Sequence, residues 1–136
     1  MRIMTDTNVL LSAALFPSPI MIELIERVTT EHTLVLCSHI IEELHEVFER
    51  KFNTKKTLLN VFLSKLSYDF IYTPTNINPK MYPEIRDKED LPILVSALIA
   101  GVDLIITGDK DFFDIKSAQE ELPIIMTPRE FIKSDL

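Results

Sequence analysis

Short runs of unbroken apolar residues alternate along the chain with longer stretches in which apolar positions recur every three or four residues. "RIMT", "TLVLC", "DLIIT" and "IIM" are of the first kind, with "IYT" a weaker example. Uninterrupted apolar runs of this length predict strands buried on both faces. Among the longer stretches, "NVLLSAAL" follows Asp6 and is broken by "PSP" at 17–19. Ser18 and Pro19 make an N-cap and first-turn pair for a second helix, "PIMIELIERVTTEH". There Ile22, Ile25 and Val28 share helical spacing, with Glu23, Glu26 and Arg27 facing elsewhere. Ser38 is placed to cap "HIIEELHEVFERKF", and "TKKTLLNVFLSKLSYDF" carries a stripe of Leu58, Leu59, Phe62, Leu63 and Leu66. "PTNINPKMYPEIRDKED" has three prolines and no period, so it predicts a loop. "LPILVSALIAG" predicts an apolar helix closed by Gly101, and Thr127, Pro128 and Glu130 give a capping-box start to a last helix.

Buried strands alternating with amphipathic helices predict an α/β fold: three layers, α/β/α, around a central parallel sheet of about five short strands. Neither an internal repeat nor a low-complexity tract divides the sequence, so residues 1–136 are expected to form a single domain. In such sheets ligands bind beyond the carboxyl ends of the strands. Asp6 and Asp109 each fall there, in "RIMTD" and "LIITGDKDFF".

Two further acids follow from helical geometry. At about 100° per residue, the third helix buries Ile40, Ile41, Leu44, Val47 and Phe48. Glu43 borders that stripe, whereas Glu42 and Glu46 lie nearly opposite its centre. Asp90 stands where the "LPILVSALIA" helix begins; Asp87 and Glu89 compete for its place but sit further back in an irregular loop. Asp6, Glu43, Asp90 and Asp109, with Asp111 nearby, thus form an all-carboxylate set without histidine or cysteine. Such a set suits Mg²⁺ or Mn²⁺, one ion or two, rather than Zn²⁺. Unpaired, these anions would repel one another; a pair of cations relieves this and supports phosphodiester hydrolysis.

Composition changes this picture little. With 136 residues, 46% hydrophobic and 26% charged, the chain suits a globular protein with a full core. No apolar stretch is long enough to span a bilayer and no secretion signal is visible, so the expected location is the cytoplasm, with no membrane partner. The single Cys37 excludes an internal disulfide and a zinc knuckle. A formal charge of −7 argues against a polyanionic partner only if the acids are spread over the surface. If five of them are gathered around cations, most of that charge is already compensated. Arg86, Lys88 and Lys110 flank the acids and are candidate contacts to a phosphate backbone, as RNA would offer if the acids serve phosphodiester hydrolysis, while Arg50, Lys51, Lys55 and Lys56 suit a solvated helix junction, with phosphate contact or partner docking the lesser alternative.

"MTDTNVLLSAAL", "SHIIEELHEVF", "DLPILVSALIAG" and "LIITGDKDFF" resemble, in order, the four acidic motifs of the PIN domain family. The resemblance spans nearly the whole chain and is nearest to the VapC-like toxin components of type II toxin–antitoxin systems. It implies a five-stranded parallel sheet and an Mg²⁺- or Mn²⁺-dependent endoribonuclease. The family's acids map to Asp6, Glu43, Asp90 and Asp109, with Asp111 an additional acid and Asn8 and Thr107 in supporting positions. It also implies a homodimer and an antitoxin partner. Gly108 departs from the larger or charged residue many members carry.

Each acid has a plainer explanation too. Asp6 and Asp90 would serve as routine helix-start residues, Glu43 as a rim residue, and Asp109 with Asp111 as an Asx-turn. The three histidines do not cluster and are expected at the surface or its boundary. The competing functional reading is a catalytically silent PIN-like module that binds RNA or protein. A haloacid-dehalogenase-like phosphohydrolase ranks last, because Asp6 is followed by Thr7 and Asn8 and not by a second aspartate two residues on.

Overall fold

Three strands carry the core because nothing polar interrupts them. In a computed structural model, which describes residues 1–115 and 121–136, these are β1 (Arg2–Thr5), β2 (Thr33–Cys37) and β4 (Leu104–Ile106). Ile3 and Met4, Leu34 to Cys37, and Leu104 to Ile106 are all buried. Successive strand residues point to opposite faces, so burial of neighbours means that both faces are covered. Two outer strands, β3 (Asp69–Ile71) and β5 (Ile124–Met126), complete a parallel five-stranded sheet in the order β3-β2-β1-β4-β5. Among the described residues six helices cover it in a three-layer α/β/α arrangement: α1 (Thr7–Leu15), α2 (Pro19–Glu31), α3 (Ser38–Lys51), α4 (Lys56–Lys65), α5 (Leu91–Ile99) and α6 (Pro128–Lys133). None of these helices is long and apolar enough to cross a membrane.

The chain moves outward from β1 through β2 to β3, then returns to lay β4 on the other side of β1. That reversal opens a crevice between the loops leaving β1 and β4, the place where open α/β sheets take their ligands.

Local expectations fare unevenly. Ser18 Oγ accepts from Met21 N at 3.3 Å and caps α2 as predicted. The buried line of α2, however, is Leu24 and Val28, and Ile22 is 56% exposed. Arg27 is no solvent-facing residue: its guanidinium donates to the carbonyls of Ile132 (2.8 Å), Leu136 (3.1 Å) and Ser134 (3.2 Å), and sits 5.0 Å from the Phe131 ring centroid. It neutralises the carbonyl end of α6, and that demand rotates α2 away from the face its local pattern suggests. Ser38 opens α3 without capping it. Its Oγ accepts from Thr73 N at 2.9 Å, Thr73 Oγ1 accepts from His39 N at 3.2 Å, and Ser96 Oγ donates to Thr73 Oγ1 at 2.9 Å. Three hydroxyls therefore pin the end of β3 to the first turn of α3 and to α5. Ile40, Leu44 and Phe48 form the buried face of α3, with Ile41 and Val47 half-buried beside them. Gly101 closes α5 at φ +64°, and Thr127 and Glu130 form the reciprocal capping box of α6.

Candidate active site

Since β1 and β4 are neighbours, the residues that follow them meet. Asp6 N donates to Ile106 O at 3.2 Å, continuing the ladder one residue past β1. The Asp6 side chain is only 4% exposed. Its Oδ1 accepts from Val9 N at 2.9 Å, capping α1, and its Oδ2 accepts from Thr107 Oγ1 at 2.5 Å. Thr107 Oγ1 in turn accepts from Asp109 N at 2.9 Å. One buried hydroxyl thus orients the first acid and the turn that carries the fourth. Burial pushes the Asp6 carboxyl above its ordinary range; the bonds from Thr107 and Val9 offset part of this, and the charges of Asp109 and Glu43 add to it.

Glu43 reaches the same region from the second turn of α3. It accepts from Thr7 Oγ1 at 2.9 Å, and its Oε1 lies 3.1 Å from His39 Nε2. That His39 contact is poorly aligned for a hydrogen bond and is best described as an ion pair. Burial raises the Glu43 carboxyl, but His39 and Thr7 outweigh it and hold the group below its usual value, as an anion. His39 is raised in return, chiefly by Glu43 and against the effect of its own burial.

The third acid behaves differently. Asp90 precedes α5 yet makes no capping bond to it, while Asp87 caps the short 3-10 turn Lys88–Asp90 just before, its Oδ1 accepting from Glu89 N at 3.0 Å. Asp90 Oδ2 is buried without a hydrogen-bond partner among the described residues. Burial, a shared proton contact with Asp109, and the charges of Asp109, Asp87 and Asp111 push the Asp90 carboxyl up to about 8. Asp109 Oδ1 accepts from Asp111 N at 2.9 Å, so the Asx-turn expected of "GDKD" is present. One carboxylate oxygen each from Asp87, Asp90 and Asp111 lie within 4.8 Å of one another. The structure brings Asp6, Glu43, Asp90, Asp109 and Asp111 to one end of the sheet, but among the described residues the trio close enough to share an ion is Asp87, Asp90 and Asp111; it omits Asp6, Glu43 and Asp109 and includes Asp87, which the sequence places in an irregular loop.

Around this cluster Arg86 Nε lies 3.7 Å from Asp111 Oδ1 and is largely exposed, and Lys88 and Lys110 are exposed. Asn8 is exposed in the first turn of α1, and Gly108 is exposed between Thr107 and Asp109. The other basic run is a helix junction: Arg50 and Lys51 end α3, where cations are favoured, and Lys56 pairs with Glu49.

The donor set fits a hard divalent cation. It is all oxygen, several charges converge, and a buried carboxylate oxygen lacks any donor among the described residues. Carboxylates crowded in this way tend to take up protons unless cations compensate them, and burial with the neighbouring acids pushes Asp90 in that direction.

Comparison with known proteins gives two results. The sequence profile described as PIN domain matches residues 2–111. Among solved structures, a chain of the crystal structure of VapBC2 from Rickettsia felis bound to a DNA fragment from their promoter superimposes with a TM-score of 0.70. It is 19% identical, and the match covers 93% of this chain and 98% of that one, a likeness of fold. No curated protein matches the sequence. With most of its length inside the profile and the same sheet beneath it, this chain belongs to the PIN domain family.

Proposed function

We propose that the protein is a metal-dependent endoribonuclease and the toxin component of a type II toxin–antitoxin system. The observation that carries this reading is the carboxylate cluster at the crevice between β1 and β4, in which one Asp90 oxygen is buried with no donor among the described residues. PIN membership and the fold shared with a VapBC2 complex support it. Asp6, Asp90 and Asp109 would hold Mg²⁺ or Mn²⁺, with Glu43, Asp111 and Asp87 completing or flanking the set. When bound there, such an ion would supply a nucleophilic water at neutral pH and charge stabilisation at the phosphoryl oxygens.

The chain's own groups set the geometry. Thr107 ties the Asp6 carboxylate to the turn that carries Asp109. Glu43, kept anionic by His39 and Thr7, is positioned to accept a proton from the attacking water or to orient it. Arg86, Lys88 and Lys110 would draw the backbone of a single RNA strand across the acids, cutting to leave a 3′-hydroxyl and a 5′-phosphate. An antitoxin and a second copy of the chain are the expected protein partners.

The test is cleavage of a panel of structured RNAs with Mg²⁺ or Mn²⁺, beside Asp6→Asn and Asp109→Asn. Asparagine preserves the helix cap at Asp6, so that variant should fold and not cut. Equal metal-dependent cutting by both variants would refute the assignment.

A further inference from the structure

Beyond the carboxyl ends of β2 and β3, next to the acid cluster, lies a cavity of about 560 Å³. His39, Glu42, Tyr72, Thr75, Pro74 and Pro92 contribute to its walls. Its place is fixed by shared residues: His39 is the partner of Glu43, and Pro92 follows Asp90 by two positions. Its frame is held because the Ser38, Thr73 and Ser96 hydroxyls tie the segment just after β3, which carries Tyr72, to α3 and α5.

Tyr72 is the unusual feature. Its side chain is 81% exposed, although an aromatic ring of that size ordinarily covers core or interface. Phe70, 43% exposed, meets it edge-to-face with ring centroids 5.0 Å apart, which restrains the tyrosine without covering it. An exposed, restrained ring beside a cavity is what a single-stranded nucleic-acid site uses to stack a base.

We propose that this cavity receives the nucleobase next to the scissile phosphate, stacked on Tyr72, and so sets base preference at that position. The inference rests on the nuclease reading and deepens it. Charge decides between base and backbone as the occupant. Glu42 and the neighbouring Glu43 repel a phosphate, whereas Glu42 can accept from the exocyclic amino group of cytosine, adenine or guanine. The cavity therefore favours an amino-bearing base over uracil.

The experiment has two arms. In the first, single-stranded oligoribonucleotides with one abasic position at a time are titrated by fluorescence anisotropy into metal-free Asp6→Asn protein, with and without Tyr72→Ala or Tyr72→Phe. One abasic position should weaken binding about tenfold, the scale of one base–aromatic stack. That penalty should persist in Tyr72→Phe and disappear in Tyr72→Ala. The same sequence as DNA reports whether the 2′-hydroxyl contributes. In the second arm, cleavage of a randomised oligoribonucleotide by protein carrying native Asp6 should lose its preference at one flanking position with Tyr72→Ala, and admit uracil there with Glu42→Gln. An abasic profile unchanged by Tyr72→Ala overturns the proposal, and leaves Tyr72 as a protein-docking residue. Absence of cleavage by the native protein, with the abasic penalty intact, overturns the nuclease reading and leaves the base site standing.

Discussion

The two sides of the crevice hold their acids in opposite ways. On the β1 side, the protein supplies the donors: Asp6 accepts from Val9 N and Thr107 Oγ1, and Glu43 accepts from Thr7 and pairs with His39. On the loop side, Asp87, Asp90 and Asp111 converge with few such donors, and Asp90 Oδ2 has none. The first side is a finished hydrogen-bond network; the second is an electrostatic strain that folding alone leaves in place. A fold tolerates that strain when something outside the chain relieves it, and a cation is the simplest candidate.

The sharpest way to separate the two sides is Asp90→Asn. It should lower metal-dependent cleavage by about a thousandfold or more, since several kcal/mol of charge stabilisation depend on the ion it helps hold. In the metal-free protein the same change should raise the melting temperature above about pH 8, where Asp90 would otherwise be ionised among like charges, and leave it little changed at lower pH. Asp6→Asn should abolish cleavage without that gain in stability. If Asp90→Asn destabilised the metal-free protein, the strained side would have to be regarded as another finished network.

Proton linkage gives the next effect. The native Asp90 carboxyl titrates near 8 and an unfolded aspartate near 4, so between these values the folded protein binds more protons than the unfolded one. Stability of the metal-free protein should therefore fall as pH rises from about 4 to about 8. Asp6, raised as well, acts in the same direction, whereas Glu43, lowered, contributes stability that is lost as the medium becomes more acidic. Half-exposure of Asp90 screens the effect and keeps it modest. Melting curves over this range should slope downward, and Asp90→Asn or added Mn²⁺ should flatten them.

Thr107→Val probes the finished side and should have the smallest effect of the three. It leaves every acid in place but removes the hydroxyl between Asp6 and the 109 turn. Loss of a supporting partner of this kind typically costs about 10–100-fold in metal affinity or activity. An unchanged rate would show that Thr107 holds the fold and not the chemistry.

Much of this crevice can be read from the sequence because strand ends can be read there. Uninterrupted apolar runs placed Asp6 and Asp109 beyond β1 and β4, and a helical wheel separated Glu43 from the exposed Glu42 and Glu46. Capping explanations and site explanations proved compatible: Asp6 caps α1 with one oxygen and meets Thr107 with the other. What escaped depends on contacts between distant segments. Asp87 lies in a proline-rich stretch without periodicity, so its approach to Asp111 has no local signature. Arg27 answers to carbonyls more than a hundred residues away, and Ser38 to Thr73. His39 is the exception. Its spacing of four from Glu43 is a local ion-pair signal, overlooked when the histidines were compared only with one another.

The central claim is that the acids converge because a divalent cation compensates them. Titration calorimetry of Mn²⁺ into the metal-free protein, in parallel with Asp90→Asn, tests it without requiring any knowledge of the RNA. The account predicts saturable binding by the native chain, with protons released as Asp90 ionises, and markedly weaker binding by the variant. No heat of binding in the native protein, or equal binding in both, would contradict it.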